Sequence, residues 1–215
     1  MHNYSSLIFD LDGTLVDTDE LIVNSFVRLF EVFPPKIGYK REDLYSYSGP
    51  LLKDSLKNHY EEKDIEEAIK IFRRETQILI DSSISMYPYA LDALNELKNK
   101  GYRLAINTNR NEKLTIRILE NLGIKDLFEV VVCPDRLAHE KPDPEGCLQV
   151  ISTLGVSKEE CLFIGDNQAD FYTARNAGID CLLVSWSPRK RNDDVKPKFN
   201  MDSFKELVGI IENGK

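Results

Sequence analysis

An α/β fold with a doubly wound parallel sheet is predicted by three features of the sequence. Short, continuously apolar runs recur along the chain, segments of helical period separate them, and glycines close the helical segments. The apolar runs are Leu7–Asp10, Arg103–Thr108, Glu129–Cys133, Cys161–Gly165 and Asp180–Trp186. Each is rich in Ile, Val, Leu or Phe and bounded by polar residues, Gly or Pro. Continuous rather than alternating apolarity suits strands covered on both faces, as in a parallel sheet.

The helices follow in order. Pro88 can open one as its first residue, with Leu91, Leu94 and Leu97 on one face and Gly101 as the stop. Asn111 can cap a second, which carries Leu114, Ile118 and Leu122 and ends at Gly123. Residues 144–154 and 168–177 form two more, ending at Gly155 and Gly178. Between the first and second strands the alternation breaks. Leu21–Phe33 has an amphipathic pattern cut off by Pro34-Pro35, and Leu51–Tyr60 and Ile65–Ile80 also read as helical. A single crossover needs far less chain. Residues 1–17 and 84–215 are therefore expected to form the sheet domain. Residues 18–83 are expected to form an inserted α-helical subdomain over the C-terminal edge of the sheet, where open α/β sheets bind ligands.

Composition narrows the function. The chain has 42% hydrophobic and 30% charged residues and a formal charge of -8. An acidic surface disfavours nonspecific binding to nucleic acid or anionic lipid. The short basic run Pro188-Arg189-Lys190-Arg191 reads as a surface loop. No apolar run reaches the roughly 20 residues of a membrane span, and the N-terminus lacks the pattern of a signal peptide. The expectation is a cytoplasmic protein. Cys133, Cys147, Cys161 and Cys181 form no CxxC pair and read as buried, reduced thiols.

The residues that can carry chemistry fall at strand ends. The first strand runs into Asp10-Leu11-Asp12-Gly13-Thr14. One carboxylate can attack phosphorus and hold the phosphoryl group as an acyl phosphate. A second can protonate the leaving oxygen and then deprotonate water. Gly13 would allow the sharp turn. A calcium EF-hand loop would need Gly at its sixth position and Glu at its twelfth, whereas Gly13 is the fourth and Leu21 the twelfth. Thr108 and Asn109, at the next strand end, can hold phosphate oxygens at a helix N-terminus, although Thr and Asn are also common caps. Lys141, in His139-Glu140-Lys141-Pro142-Asp143-Pro144, can neutralise the nucleophile and phosphoryl oxygens. His139 suits a structural or surface role. Asp166, in Gly165-Asp166-Asn167-Gln168-Ala169-Asp170, can join Asp10 around a magnesium ion, with Asp170 supporting from behind. Each group alone has an ordinary structural reading. A parallel sheet would bring all of them to one edge.

In combination these residues closely resemble the haloacid-dehalogenase-like (HAD) hydrolase superfamily. Its four motifs occur in order as DLDGT at Asp10–Thr14, Thr108, Lys141 and Gly165–Asp170. The resemblance implies a Rossmann-like core with a helical first-type cap. It implies Asp10 as nucleophile and magnesium ligand. It implies Asp12 as general acid/base that also lends its backbone carbonyl to the metal. Thr108 and Lys141 would bind the phosphoryl group, and Asp166 would ligate Mg2+ with Asp170 behind it. Dehalogenases proper lack the second motif aspartate, so Asp12 argues against carbon–halogen chemistry. The Ser48–Leu56 stretch is similar to the Gly-x-Pro-Leu segment of phosphoglycolate phosphatases and related pyrophosphatases. The stretch Lys196–Leu207 is similar to the ending of that group. Gly49 and Lys53, with Lys57, become candidate specificity residues of the cap. The expectation is a magnesium-dependent phosphatase acting on a small phosphorylated metabolite, phosphoglycolate-like, through a phosphoaspartate. It would be a monomer or a weak dimer. The alternatives are a phosphomutase of the β-phosphoglucomutase type and a noncatalytic binding protein on the same fold.

Overall fold

The computed structural model describes residues 4–48, 51–80, 84–187 and 191–213. The chain divides into two compact units, one of residues 1–16 and 86–215 and the other of residues 17–85. Strands β2 (Val16–Asp17) and β3 (Ser85–Met86) mark the two crossings between them.

The first unit is built on a six-stranded sheet. Its strands are β1 (Ser6–Phe9), β4 (Arg103–Asn107), β5 (Val130–Val132), β6 (Cys161–Gly165), β7 (Asp180–Val184) and β8 (Phe199–Met201). They lie in the order β5-β4-β1-β6-β7-β8, and every pairing is parallel. The register sets Phe9 level with Ile106 on one side and Ile164 on the other. The residues just beyond β1, β4 and β6 therefore emerge side by side. Leu7, Ile8 and Phe9 are all fully buried, so both faces of the central strand are covered, as continuous apolarity predicts. Helices α6 (Glu145–Leu154) and α7 (Gln168–Ala177) cover one face. Ile8, Ala105, Phe163, Cys147, Val150 and Ala174 lie in the core there. Helix α4 (Ala90–Asn99) packs against α8 (Leu207–Asn213), and α5 (Glu112–Asn121) follows β4. The four cysteines are buried and free.

Several boundaries differ from the sequence reading for local reasons. Helix α4 begins at Ala90, not at Pro88. Tyr89 takes a left-handed conformation, φ 65°, and the Ala90 N–H closes a turn on the Tyr87 carbonyl. Asn111 does cap α5, its side chain accepting the Leu114 N–H at 3.1 Å. Strand β8 was not anticipated, because its three residues include an exposed Asn200 and carry no apolar run.

The second unit is helical. It contains α1 (Asp19–Val32), α2 (Leu52–Lys57) and α3 (Glu62–Leu79), with a 3-10 segment at Arg41–Tyr47. Helices α1 and α3 each start earlier than their apolar pattern. Acidic residues occupy the extra first turns, Asp19 and Glu20 in α1 and Glu62 and Asp64 in α3, where they favour the positive end of the helix dipole. The core joins Val23, Phe26, Leu29, Phe30, Leu44, Leu56 and Ile65. No described helix is long and apolar enough to cross a membrane.

His59 is buried in this core, 4.8 Å from the Phe30 ring centroid, with its Nε2 2.8 Å from the Tyr47 hydroxyl. Burial pushes its pKa below the ordinary 6.5, partly opposed by the Ile37 backbone. The folded chain then binds fewer protons than the unfolded chain below about pH 6.5, and stability falls as the pH falls through that range. His59→Phe should keep the ring contacts and flatten this dependence. Urea midpoints at pH 7.5 and pH 5 should differ less for the variant than for the parent. An unchanged difference would remove His59 from this role.

Candidate active site

The site grows from the end of β1. Asp10 follows the strand directly, its N–H donating to the Ile164 carbonyl at 2.9 Å, and it is only 4% exposed. The chain then turns sharply. Gly13 takes φ 80°, and its N–H reaches the Val16 carbonyl at 2.9 Å. The left-handed φ is the reason glycine stands there.

Lys141 arrives from the loop before α6, behind a cis Lys141-Pro142 bond. Its buried ammonium lies 2.7 Å from Asp10 Oδ1 and 2.7 Å from Asp170 Oδ1. Burial works against the charge of Lys141, but Asp10 and Asp170 outweigh it and raise its pKa. Asp170 is fully buried on the first turn of α7. Its other oxygen, Oδ2, accepts the N–H groups of Asp166 and Asn167 at 3.0 and 3.1 Å. Asp166, also fully buried, accepts from Asn167 Nδ2 on Oδ1 at 2.9 Å and from the Ser187 hydroxyl on Oδ2 at 2.7 Å. Carboxylate oxygens of Asp10, Asp166 and Asp170 lie within 4.8 Å of one another.

This donor set fits a hard divalent cation. Burial raises the Asp10 pKa to about 8, with Asp170, Asp166 and Asp12 adding to the rise and Lys141 opposing it. A cation bound by oxygen ligands would offset that accumulation of negative charge. Asp170 Oδ1 is held by Lys141 and Oδ2 by two backbone N–H groups, and both Asp166 oxygens likewise accept hydrogen bonds.

The groups from β4 divide differently from the sequence reading. Thr108 is buried, and its hydroxyl oxygen accepts the Arg110 N–H at 3.2 Å. Asn109 was assigned to phosphate, but its side chain is engaged elsewhere. Its Oδ1 accepts the Lys141 N–H at 2.9 Å and its Nδ2 donates to the Lys141 carbonyl at 3.0 Å. It fixes the backbone that carries the ammonium. Asp12 is gripped by Arg110, with Nε 3.0 and 2.8 Å from its two oxygens and Nη2 2.8 Å from Oδ1. Of the specificity candidates, Lys53 lies in the helical unit, half exposed and 3.0 Å from Glu62. Lys57 is paired with Asp54 at 2.7 Å. Gly49 lies outside the described residues.

Three residues without a predicted role belong to this constellation: Arg110, Ser187 and Trp186. The indole N–H of Trp186 donates to the Gly13 carbonyl at 3.2 Å, and its ring packs between Tyr87 and Phe204. The basic residue closing Asn107-Thr108-Asn109-Arg110 was a visible signal. Nothing local marks Ser187, which is brought in by the end of β7.

Residues 7–184 match the family model described as haloacid dehalogenase-like hydrolase. The chain belongs to the haloacid dehalogenase-like hydrolase family. As a member it is a hydrolase. Among similar curated proteins, the pyrophosphatase PpaX of Bacillus cereus is 33% identical over 211 residues, covering 97% of each chain. Among solved structures, a haloacid dehalogenase-like family protein, SP0104 from Streptococcus pneumoniae, superposes with a TM-score of 0.89 at 25% identity. That match covers 99% of this chain and 100% of the other. A haloacid dehalogenase-like protein from Bacteroides fragilis gives 0.87 at 26% identity, over 95% and 99%.

The glycine that opens the last motif of this hydrolase has a steric reason. A Cβ on Gly165 would lie 2.4 Å from the Cβ, Cγ and Oδ2 atoms of Asp170. Gly165→Ala should push Asp170 off both Lys141 and the loop N–H groups and cost about 1–3 kcal/mol of stability. Urea unfolding checks this, and a loss under about 0.5 kcal/mol would show that the site can absorb a methyl group.

Proposed function

We propose that this hydrolase is a magnesium-dependent phosphatase of a small phosphomonoester, working through a phosphoaspartate on Asp10. The observation that carries the reading is the setting of Asp10. It is a buried carboxylate at a strand end, held through one oxygen by a buried ammonium, beside two further buried carboxylates. Among the described residues its Oδ2 takes no protein donor, which leaves that oxygen to attack.

In the first step Asp10 attacks phosphorus in line, and Asp12 gives a proton to the departing oxygen. In the second, Asp12 takes a proton from water as the water attacks phosphorus. Phosphate leaves, and the Asp10 carboxylate returns. Lys141 offsets negative charge on Asp10 and the phosphoryl oxygens in both steps, and the Thr108 hydroxyl and the Asn109 N–H are assigned to those oxygens. Asp10, Asp166 and the Asp12 carbonyl would hold Mg2+, which when bound screens the repulsion between carboxylate and phosphate. The helical unit, inserted directly after the nucleophile loop, serves as the cap that selects the leaving group, with Gly49 and Lys53 as its candidate contacts. The Ser48–Leu56 likeness supports a phosphoglycolate-like substrate. The 33% identity to a protein named as a pyrophosphatase favours pyrophosphate as the second reading.

Phosphate release from a panel of phosphomonoesters and pyrophosphate, with and without magnesium, tests the chemistry. Release should require magnesium and vanish in Asp10→Asn. Release that persists in that variant would overturn the reading. Asp12→Ala should keep magnesium affinity and lose about 100- to 10,000-fold in turnover.

Ser187 adds a test that does not depend on turnover. Its hydroxyl fixes one oxygen of the proposed ligand Asp166, and such support is worth about 10- to 100-fold in metal affinity. Ser187→Ala should weaken magnesium binding by that factor in calorimetric titration. The fluorescence of Trp186, the single tryptophan of the sequence, provides a second signal. Unchanged affinity would make the contact incidental.

A further inference from the structure

Arg110 holds Asp12 along one edge only. Its Nε and Nη2 face the carboxylate, whereas Nη1 takes no protein acceptor among the described residues. The pair is largely buried, with side-chain exposures of 9% for Arg110 and 18% for Asp12. Lys141, another buried cation at the strand ends, already contacts two carboxylates. Arg110 therefore has donor capacity that the nucleophile and the carboxylate cluster leave unused.

Its place decides what that capacity can reach. On the proposed chemistry, the oxygen that departs from phosphorus comes within hydrogen-bonding distance of Asp12. Groups one or two bonds beyond that oxygen then lie a few ångströms further on, beside the guanidinium that Asp12 touches. A planar guanidinium offers two donors along each edge and matches carboxylate and phosphate oxygens. Its weak hydration and low exposure favour an anion there over water.

We propose that Arg110 is a specificity residue that binds a negatively charged group on the leaving side of the substrate. The enzyme then favours phosphate esters or anhydrides whose leaving group is itself an anion, a carboxylate or a second phosphate. The inference rests on the phosphatase reading above and adds its substrate class. The residue keeps Asp12 on one edge and receives the substrate anion on the other.

The test compares two substrate classes on the full chain with magnesium. Pyrophosphate and phosphoglycolate have anionic leaving groups, whereas ethyl phosphate and glycerol phosphate have neutral ones. In Arg110→Gln, kcat/KM for the anionic class should fall about 10- to 100-fold more than for the neutral class, mainly through KM. Arg110→Lys should recover part of the difference, since it keeps the charge and loses the fork. Glycolate should inhibit the parent and not Arg110→Gln. Unfolding midpoints and magnesium affinity of the variants check that the site is intact. Equal losses in both classes would mean that Arg110 serves only to hold Asp12, and the inference would fail. No change in either class would also overturn it. These outcomes are separable from the fate of the chemistry itself: phosphate release that survives Asp10→Asn sinks the phosphatase reading. Loss of release in that variant with an unmoved class ratio in Arg110→Gln sinks this inference alone.

Discussion

The Lys141 ammonium is the interaction on which the rest of the site depends. A buried charge is tolerated only when paired, and Lys141 has a carboxylate at 2.7 Å on each of two sides. One comes from the end of β1 and the other from the first turn of α7, so a single side chain from the loop before α6 ties a strand end to a helix. Removing one partner from such a buried group costs about 3–5 kcal/mol. The arrangement therefore constrains neighbouring residues. Asn109 clamps the Lys141 backbone through both of its amide atoms, and Asp170 spends its second oxygen on the Asp166 and Asn167 N–H groups. Gly165 is required because no side chain fits beside Asp170.

Charge balance then links the arrangement to chemistry. Asp10, Asp12, Asp166 and Asp170 gather at one edge of the sheet, where Lys141 contacts the carboxylates of Asp10 and Asp170 and Arg110 contacts that of Asp12. Burial and the neighbouring carboxylates raise the Asp10 pKa to about 8. A divalent cation and a phosphoryl group, arriving together, suit that field better than either does alone. The second cation, Arg110, sits with Asp12, which on the proposed mechanism separates a nucleophile side from a leaving-group side.

Much of this was legible in the sequence because parallel sheets place strand ends together. Continuous apolar runs gave β1, β4, β5, β6 and β7, and the acidic and basic residues just beyond them are the ones that meet. What escaped was nonlocal or weakly patterned. β8 is three residues long and has no apolar run of its own. Ser187 and Trp186 join the site only because β7 ends beside β6, a fact of strand order and not of spacing. The side-chain clamp of Asn109 on the Lys141 backbone also escaped, because it spans 32 positions of sequence. Helix starts shifted where the chain's own chemistry overrode the apolar pattern, as at Tyr89, whose left-handed backbone delays α4 past Pro88.

On the proposed mechanism Asp10 carries the phosphoryl group. The most direct measurement is chemical trapping during turnover. The enzyme is mixed with pyrophosphate and magnesium, quenched rapidly in acid and reduced with borohydride. The peptide containing residue 10 is then weighed by mass spectrometry. An acyl phosphate on Asp10 is reduced to the corresponding alcohol, so the account predicts homoserine at position 10, present only when substrate was added. If hydrolysis proceeds and residue 10 remains aspartate at every quench time, with the modification found elsewhere or nowhere, the account is contradicted.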